Sequence, residues 1–326
     1  MVRDRYVAQA PRLAVAALAC LLSACASGRE FRADPFDAPR IATEKTVGTR
    51  IERTLRAVGG DTLALTEWPA RGIPKGIILA VHGYGDYGLS TYGDAAEEWR
   101  EAGLTVYAYD QRGFGRNPSR GAWPGADRLV EDLAHVFDLV QSEANGAPIT
   151  VVGHSMGGAV VAAALGQGVI APERAILLAP ALWGGPHLGP GYRALAGVAT
   201  ALFPDKRWSG EGVVRIMASD NIEALRALGR DPLYLRKPSS REFSGLIALM
   251  DRAVENAPAI TTPTLVIYGA YDEVVPQEPL RATTARFGGE KEFRLIETGW
   301  HLLLRDLEGQ VVRDAVAAYA SGDMPG

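Results

Sequence analysis

Continuous apolar runs recur along this chain, and segments with the spacing of an amphipathic helix separate them. The runs lie at 76–81, 104–109, 149–152, 175–179 and 264–268, and a more mixed one follows at 291–296. The helical segments lie at 92–102, 127–145, 159–166, 278–287 and 306–319. Strands that are apolar on both faces and alternate with helices are typical of a mostly parallel sheet with helices on each side. The pattern therefore predicts an α/β fold.

Two other stretches frame this core. Residues 50–58 and 62–68 alternate between apolar and polar positions, and Gly59-Gly60-Asp61 between them is a hairpin signature. We expect these segments to form an antiparallel edge of the sheet. Residues 26–48 show little periodicity and contain two prolines, which indicates a tether before a domain that begins at residue 49.

Between residues 182 and 262 the alternation of strands and helices stops. Glycines and prolines interrupt the first part of this stretch, and the remainder has helical spacing without clear strands. Ser239 and Glu242 have the spacing of a capping box, and an apolar stripe follows them at Phe243, Leu246, Ile247, Met250 and Val254. We interpret residues 182–262 as a helical cap inserted into the α/β domain.

The N-terminal segment has a different character from the rest of the 326-residue chain. Arg3, Arg5 and Arg12 precede an apolar stretch at 13–22 that is too short to span a bilayer, so residues 1–24 are interpreted as a secretion signal. Leu-Ser-Ala followed by Cys25 resembles the bacterial lipoprotein signal, in which this cysteine is lipidated and becomes the mature N-terminus. The alternative is an ordinary signal peptide that contains a cysteine.

This interpretation makes a prediction about location. The lipidated Cys25 would attach the protein to the bacterial cell envelope, and Ala26 rather than Asp after it favours the outer membrane if the cell is Gram-negative. The other cysteine, Cys20, lies inside the signal, so the mature domain is expected to have no disulfide. The formal net charge is −4 and basic residues are dispersed, which argues against a nucleic-acid partner.

The strongest chemical signal is Gly153-His154-Ser155-Met156-Gly157, which lies between a predicted strand and a predicted helix. A G-x-S-x-G pentapeptide alone is weak evidence, but this context is the one that a nucleophile elbow requires. The tight turn makes the serine hydroxyl project towards a base, and the glycines allow the strand and the helix to approach each other. We therefore expect Ser155 to be a nucleophile with a strained, positive φ angle.

A serine nucleophile needs a base and an acid at the same edge of the sheet, in loops that follow the strands. Of the five histidines, His82, His154 and His301 follow strands, and His301 is the predicted base because His154 is in the elbow and His82 is in a glycine-rich loop. Asp272 is the preferred acid, while its neighbour Glu273 and the distant Asp110 are alternatives. The order Ser, Asp, His is that of the α/β-hydrolases.

Two backbone N–H groups should stabilise the oxyanion that forms during attack on an ester. Met156 would donate one at the start of the helix after Ser155, where the helix dipole favours negative charge. Tyr84 would donate the other from the glycine-rich loop His82-Gly83-Tyr84-Gly85. No cluster of ligands suggests a metal, and no cofactor is expected.

Six motifs together make this chain similar to the monoacylglycerol lipase and lysophospholipase group of α/β-hydrolases, over nearly all of residues 50–320. They are H-G-Y-G-D-Y, D-Q-R-G-F-G-R, V-G-H-S-M-G-G, R-D-P-L, Y-G-A-Y-D-E-V-V-P and G-W-H. The resemblance implies Ser155 as nucleophile, Asp272 as acid and His301 as base, with Tyr84 and Met156 as oxyanion donors. One departure is Leu302, where the group often has a glutamate after the catalytic histidine.

The sequence thus predicts a serine hydrolase for esters of monoacyl lipids, either monoacylglycerols or lysophospholipids, and this substrate class depends mainly on the resemblance. Three other functions remain open: a general carboxylesterase for short soluble esters, an acyltransferase with the same triad, and an envelope protein that binds lipid without catalysis.

Overall fold

The computed structural model describes residues 40–208 and 216–323. The predicted signal peptide, the predicted lipidation site Cys25 and the first part of the predicted tether lie outside the described residues. Within them, the strands are β1 (Arg40–Val47), β2 (Arg50–Arg56), β3 (Thr62–Trp68), β4 (Gly76–Val81), β5 (Leu104–Tyr109), β6 (Ile149–His154), β7 (Arg174–Leu178), β8 (Thr264–Gly269) and β9 (Lys291–Ile296). They form one sheet in the order β1-β2-β3-β5-β4-β6-β7-β8-β9.

The sheet is parallel from β5 to β9 and antiparallel at its other edge, where β1, β2 and β3 lie. The mostly parallel α/β fold and the hairpin of β2 and β3 are therefore confirmed. The predicted boundary of the tether is wrong at its end, because residues 40–47 form β1 and pair with β2. Most of its side chains are exposed, so backbone pairing forms this strand and no apolar alternation could reveal it.

The helices in the described part of the chain are α1 (Gly88–Glu101), α2 (Ala126–Glu143), α3 (Met156–Gly166), α4 (Pro190–Leu202), α5 (Ile222–Arg230), α6 (Ser240–Asn256), α7 (Gln277–Ala285) and α8 (Gln310–Ser321). Several helix boundaries differ from the prediction, and the largest differences are at two starts. Helix α1 begins at Gly88 rather than residue 92, and α8 begins at Gln310 rather than residue 306. None of these helices is long and apolar enough to cross a membrane.

The centre of the sheet is the core of the domain. Every residue of β4, β5 and β6 is buried, and α3 is buried from Met156 to Leu165. In the register of β4 and β6, Val81 lies opposite Gly153, so the loops after these two strands leave the sheet side by side. The sheet thereby brings the glycine-rich loop at residues 82–85 next to the turn at Ser155.

Three helices, α4, α5 and α6, occupy the described part of the segment between β7 and β8, where the sequence predicts the cap. The predicted capping box is confirmed: the Ser239 hydroxyl accepts from the Glu242 N–H at 3.2 Å, and the Glu242 carboxylate accepts from the Ser239 N–H at 2.6 Å. Helix α6 packs against α3. This contact joins the cap to the helix that begins after Ser155.

We predict that Gly157→Ala prevents the native turn. A Cβ at Gly157 would lie 2.2 Å from the carbonyl oxygen of Val81 and 2.5 Å from that of His82, and backbone atoms cannot yield as a flexible side chain does. Overpacking of this kind costs about 3 kcal/mol. We expect a lower midpoint of thermal unfolding and loss of activity.

Gly197→Ala is the matched control for this experiment. Gly197 lies in helix α4, and a Cβ there would meet no atom within 4 Å. Because alanine is the better helix former by about 1 kcal/mol, the midpoint should rise slightly. Equal effects of the two substitutions would contradict the role assigned to Gly157.

Candidate active site

The turn between β6 and α3 holds Ser155 in a strained conformation, with φ of 53° and ψ of −118°. The predicted positive φ is confirmed. Hydrogen bonds on both sides fix the turn: the Ser155 N–H donates to the carbonyl of Leu178 at 3.0 Å, and its carbonyl accepts from the Ala181 N–H at 2.9 Å. Strand β7 and the loop after it therefore help to maintain the strain.

The structure brings together the three residues predicted as nucleophile, base and acid. His301 Nε2 lies 3.0 Å from the Ser155 Oγ, and His301 Nδ1 lies 2.8 Å from the Asp272 Oδ2. The Asp272 side chain is fully buried and that of His301 is nearly so. The carboxylate orients the imidazole, which leaves Nε2 available to accept the serine proton.

The structure favours Asp272 over the two alternative acids. Its Oδ1 accepts from the N–H groups of Val274 and Val275 at 2.7 and 2.9 Å, so the loop after β8 holds the carboxylate in place. Glu273 is exposed and accepts from the Met217 N–H at 2.7 Å. Its carboxylate does not bond the base.

Asp110 is also buried, but its carboxylate bonds groups near its own loop. Its carboxylate accepts from the Gly88 N–H at 3.0 Å, from the Arg116 N–H at 2.8 Å and from the Arg116 guanidinium at 2.9 Å. These contacts tie the segment after β5 to the start of α1. Asp110 is therefore a structural residue and not the acid of the triad.

Three of the four remaining histidines bond backbone groups. His82 Nε2 accepts from the Gln111 N–H at 2.8 Å, and burial lowers the pKa of the ring. His154 Nε2 lies 3.0 Å from the backbone carbonyl of His301, so this ring bonds the loop that carries the predicted base. His135 Nε2 lies 2.9 Å from the carbonyl of Arg56, and His187 is in a short 3-10 turn after β7.

The predicted oxyanion donors lie on the two loops that the sheet brings together. Met156 is the first residue of α3, so its N–H has no acceptor within the helix. Tyr84 lies in the loop after β4, and its hydroxyl donates to Glu242 of the cap at 3.1 Å. Burial raises the pKa of that hydroxyl, which keeps it protonated and able to donate. The role of the two amides stays a prediction.

Sequence reasoning missed how firmly the cap holds the loop that follows β4. Besides the Tyr84 contact, the Leu235 N–H donates to the Gly85 carbonyl at 2.8 Å and the Tyr87 hydroxyl donates to Asp231 at 2.8 Å. The motif H-G-Y-G-D-Y supplies the loop residues of all three contacts, and the motif R-D-P-L supplies Asp231 of the cap. Each motif is visible in the sequence, but their contact depends on how the cap folds back over the sheet.

A second missed feature is the ion pair behind His301. Arg305 Nη2 lies 2.9 Å from the Asp86 Oδ2. Burial alone would raise the pKa of Asp86, but Arg305 and a hydrogen bond from Ser90 hold it below its usual value. Arg305 lies four residues after His301, and Asp86 follows the predicted oxyanion loop. No local pattern in the sequence indicates that these two residues meet.

In the described part of the chain, no group of three or more histidine, cysteine, aspartate or glutamate side chains is arranged to hold a metal ion. What the site does offer is a serine hydroxyl bonded to an imidazole, which is bonded to a buried carboxylate. That arrangement can deprotonate the hydroxyl as it attacks a carbonyl carbon.

Comparisons with known proteins agree with this chemistry. A family model described as Serine aminopeptidase, S33 (Hydrolase_4) matches residues 72–308. The chain is 27% identical to a monoacylglycerol lipase of Mycolicibacterium smegmatis over 83% of its own length and 97% of the relative's. It is 25% identical to a human monoglyceride lipase, over 76% of this chain and 82% of the relative.

A solved structure has the same fold. The crystal structure of the Paleococcus ferrophilus monoacylglycerol lipase superposes with a TM-score of 0.68 at 23% identity, and it covers 80% of this chain and 99% of the other. The α/β-hydrolase fold class expected from the sequence is thus confirmed.

We predict that Asp272→Asn lowers kcat for p-nitrophenyl butyrate by about 10⁴-fold, because the amide favours the wrong tautomer of His301. Glu273→Gln is the matched control, since it changes the neighbouring carboxylate and leaves the contact with His301 intact. We expect its kcat to equal that of the unchanged protein. A large loss in Glu273→Gln with activity retained in Asp272→Asn would reverse the assignment.

Proposed function

Because the chain belongs to the Serine aminopeptidase, S33 (Hydrolase_4) family and holds Ser155, His301 and Asp272 in hydrogen-bonded order, we propose that it hydrolyses esters through an acyl-enzyme on Ser155. The chain is a lipase-like ester hydrolase of the α/β-hydrolase fold. The proposed substrates are monoacyl lipids, either monoacylglycerols or lysophospholipids. The observation that carries the mechanism is the 3.0 Å contact between His301 Nε2 and the Ser155 Oγ.

In the first half of the proposed reaction, the Ser155 Oγ attacks the ester carbonyl carbon while His301 Nε2 takes its proton. Asp272 stabilises the resulting imidazolium. The N–H groups of Tyr84 and Met156 stabilise the oxyanion, and each such donor contributes about 3 kcal/mol. His301 then gives the proton to the leaving alcohol, and the acyl group stays on Ser155.

In the second half, His301 takes a proton from a water molecule as its oxygen attacks the acyl carbon. The tetrahedral intermediate collapses, the fatty acid leaves, and Ser155 recovers its proton from His301. The same site would transfer the acyl group to another alcohol if that alcohol replaced water. The acyltransferase alternative therefore differs from the hydrolase in the acceptor alone.

Two observations support a lipid substrate. Two relatives that match most of this chain are named monoacylglycerol lipase and monoglyceride lipase. In addition, Tyr192, Leu195, Val198 and Leu202 of α4 are all more than half exposed, at spacings that place them on one side of the helix. An apolar helix face of this kind is unfavourable in water and suits contact with a lipid aggregate.

We also propose that the lipidated Cys25 attaches the protein to the bacterial cell envelope. The support for this is the sequence of the first 25 residues. An enzyme anchored in this way would meet its substrate at the membrane surface. If the anchor carries more than one acyl chain, attachment is stable, since each buried methylene adds about 0.8 kcal/mol.

The test is hydrolysis of p-nitrophenyl esters from acetate to palmitate, of 1-monoacylglycerol and of lysophosphatidylcholine. Ser155→Ala should lose about 10⁴-fold or more of the rate on every ester. We expect medium or long chains to be cleaved faster than acetate, because a longer acyl chain buries more apolar surface. Amino-acid p-nitroanilides should be poor substrates.

The possible outcomes separate the alternatives. A maximum at acetate would favour a general carboxylesterase for short soluble esters. Faster release of p-nitrophenol with an added alcohol, together with a new ester product, would favour an acyltransferase. A folded protein that cleaves none of these esters would contradict the hydrolase and favour lipid binding without catalysis.

A further inference from the structure

A small cavity lies beside the loop that carries His301. It is lined by Asp86, Thr91, His154, Leu302, Leu304 and Arg305. Its volume is about 10 Å³, close to the smallest cavity that holds one water molecule, about 10–15 Å³. Its walls belong to the loop after β4, helix α1, the end of β6 and the loop that contains His301.

Three buried polar atoms of the cavity walls have no hydrogen-bond partner among the described residues. They are the Thr91 Oγ1, the His154 Nδ1 and the Arg305 Nη1. Thr91 and His154 are both more than nine-tenths buried. Because unpartnered polar atoms are costly in a protein interior, three of them around one cavity indicate a shared partner.

The chemistry of the walls identifies the kind of partner. His154 Nε2 faces the His301 carbonyl at 3.0 Å, and a carbonyl can only accept, so Nε2 carries the hydrogen. Burial lowers the pKa of His154 to about 3, and the ring is therefore neutral near pH 7. Its Nδ1 must then accept a hydrogen bond. Arg305 Nη1 can only donate, and the Thr91 hydroxyl can do either.

Water fits this set of atoms, and an anion does not. A water molecule can accept from Arg305, donate to His154 and exchange a hydrogen bond with Thr91. An anion could not donate to His154 Nδ1. In addition, the charge of Arg305 is already balanced by Asp86 at 2.9 Å, which leaves the cavity without net positive charge.

We propose that this cavity binds one structural water molecule, and that His154 and this water together position the backbone of His301. The water keeps the hydrogen of His154 on Nε2, and Nε2–H holds the carbonyl of His301. The ion pair of Arg305 and Asp86 holds the guanidinium in place, so that its Nη1–H can donate to the water. Loss of the water would let the ring take its other tautomer, and the His301 carbonyl would lose its donor.

The kinetic part of this proposal rests on the proposed role of His301 as base. Thr91→Val removes one polar partner of the water with little change in volume. We expect kcat for p-nitrophenyl butyrate to fall about tenfold with KM unchanged, less than the ~10²-fold that an ångström of misplacement can cost. Thr91→Ser keeps the hydroxyl and should retain full activity.

Thr150→Val is the matched control. Thr150 is fully buried in β6, and its hydroxyl also has no partner among the described residues, but it is not part of the cavity wall. The substitution should leave kcat unchanged. A loss in Thr91→Val no greater than in Thr150→Val would overturn the positioning role.

Two measurements do not depend on activity. A crystal structure that resolves ordered waters should show one within hydrogen-bond distance of Thr91 Oγ1, His154 Nδ1 and Arg305 Nη1, and this water should be absent in Thr91→Val. The ¹⁵N NMR signals of His154 should show a protonated Nε2 and an unprotonated Nδ1. An empty cavity, or a proton on Nδ1, would overturn the proposal even if the esterase activity is as expected.

Discussion

The geometry of the candidate active site depends on how closely strand β6 and helix α3 approach each other at Ser155. The positive φ of this serine is maintained from several directions: Gly157 lies against the backbone of β4, and the peptide groups on both sides of Ser155 bond to β7 and the loop after it. Because α3 is buried from Met156 to Leu165, it cannot move away to relieve the strain. The core of the domain therefore maintains an unfavourable conformation at Ser155, the proposed nucleophile.

The other members of the triad are positioned by the same sheet. Asp272 and His301 follow β8 and β9, which are neighbouring parallel strands, and their loops leave the sheet at one edge. The acid is held by two backbone N–H groups, and the base is held by contacts on both of its sides. Serine and carboxylate bond the ring of His301, while His154 faces its backbone carbonyl. The base is thus fixed at the ring and at the main chain.

The cap also contacts the loop after β4, which carries one of the proposed oxyanion donors. Tyr84, Gly85 and Tyr87 each bond a residue of the cap. A change in the position of the cap would therefore change the loop that carries a proposed oxyanion donor. In a lipid hydrolase, this would link the surface that meets the substrate to the group that stabilises the transition state.

Most of the fold and the triad could be predicted from the sequence, because buried strands, helical spacing and the nucleophile elbow are local patterns. Ser155, Asp272 and His301 each follow such a pattern. Strand β1 could not be predicted, since its pairing with β2 depends on backbone groups and its side chains are mostly exposed. The ion pair of Asp86 and Arg305 could not be predicted from local patterns either. These residues are more than two hundred positions apart and meet only when the sheet is assembled.

The start of helix α1 is another feature that local sequence patterns do not predict. Its first turn contains Gly88, whose N–H bonds the buried carboxylate of Asp110, and glycine gave no helical signal in the sequence. A tertiary contact thus extends the helix beyond its apolar pattern. The contacts of the cap with Tyr84 and Tyr87 are also long-range polar contacts, which local patterns do not predict.

The central claim is that His301 activates Ser155 as a nucleophile, and covalent labelling with a p-nitrophenyl alkylphosphonate tests it most directly. This reagent phosphonylates an activated serine, and mass spectrometry of the digested protein locates the adduct. We expect one adduct per chain, on the peptide that contains Ser155, with none in Ser155→Ala and much slower labelling in His301→Ala. An adduct on another residue, or equal labelling rates with and without His301, would contradict the account.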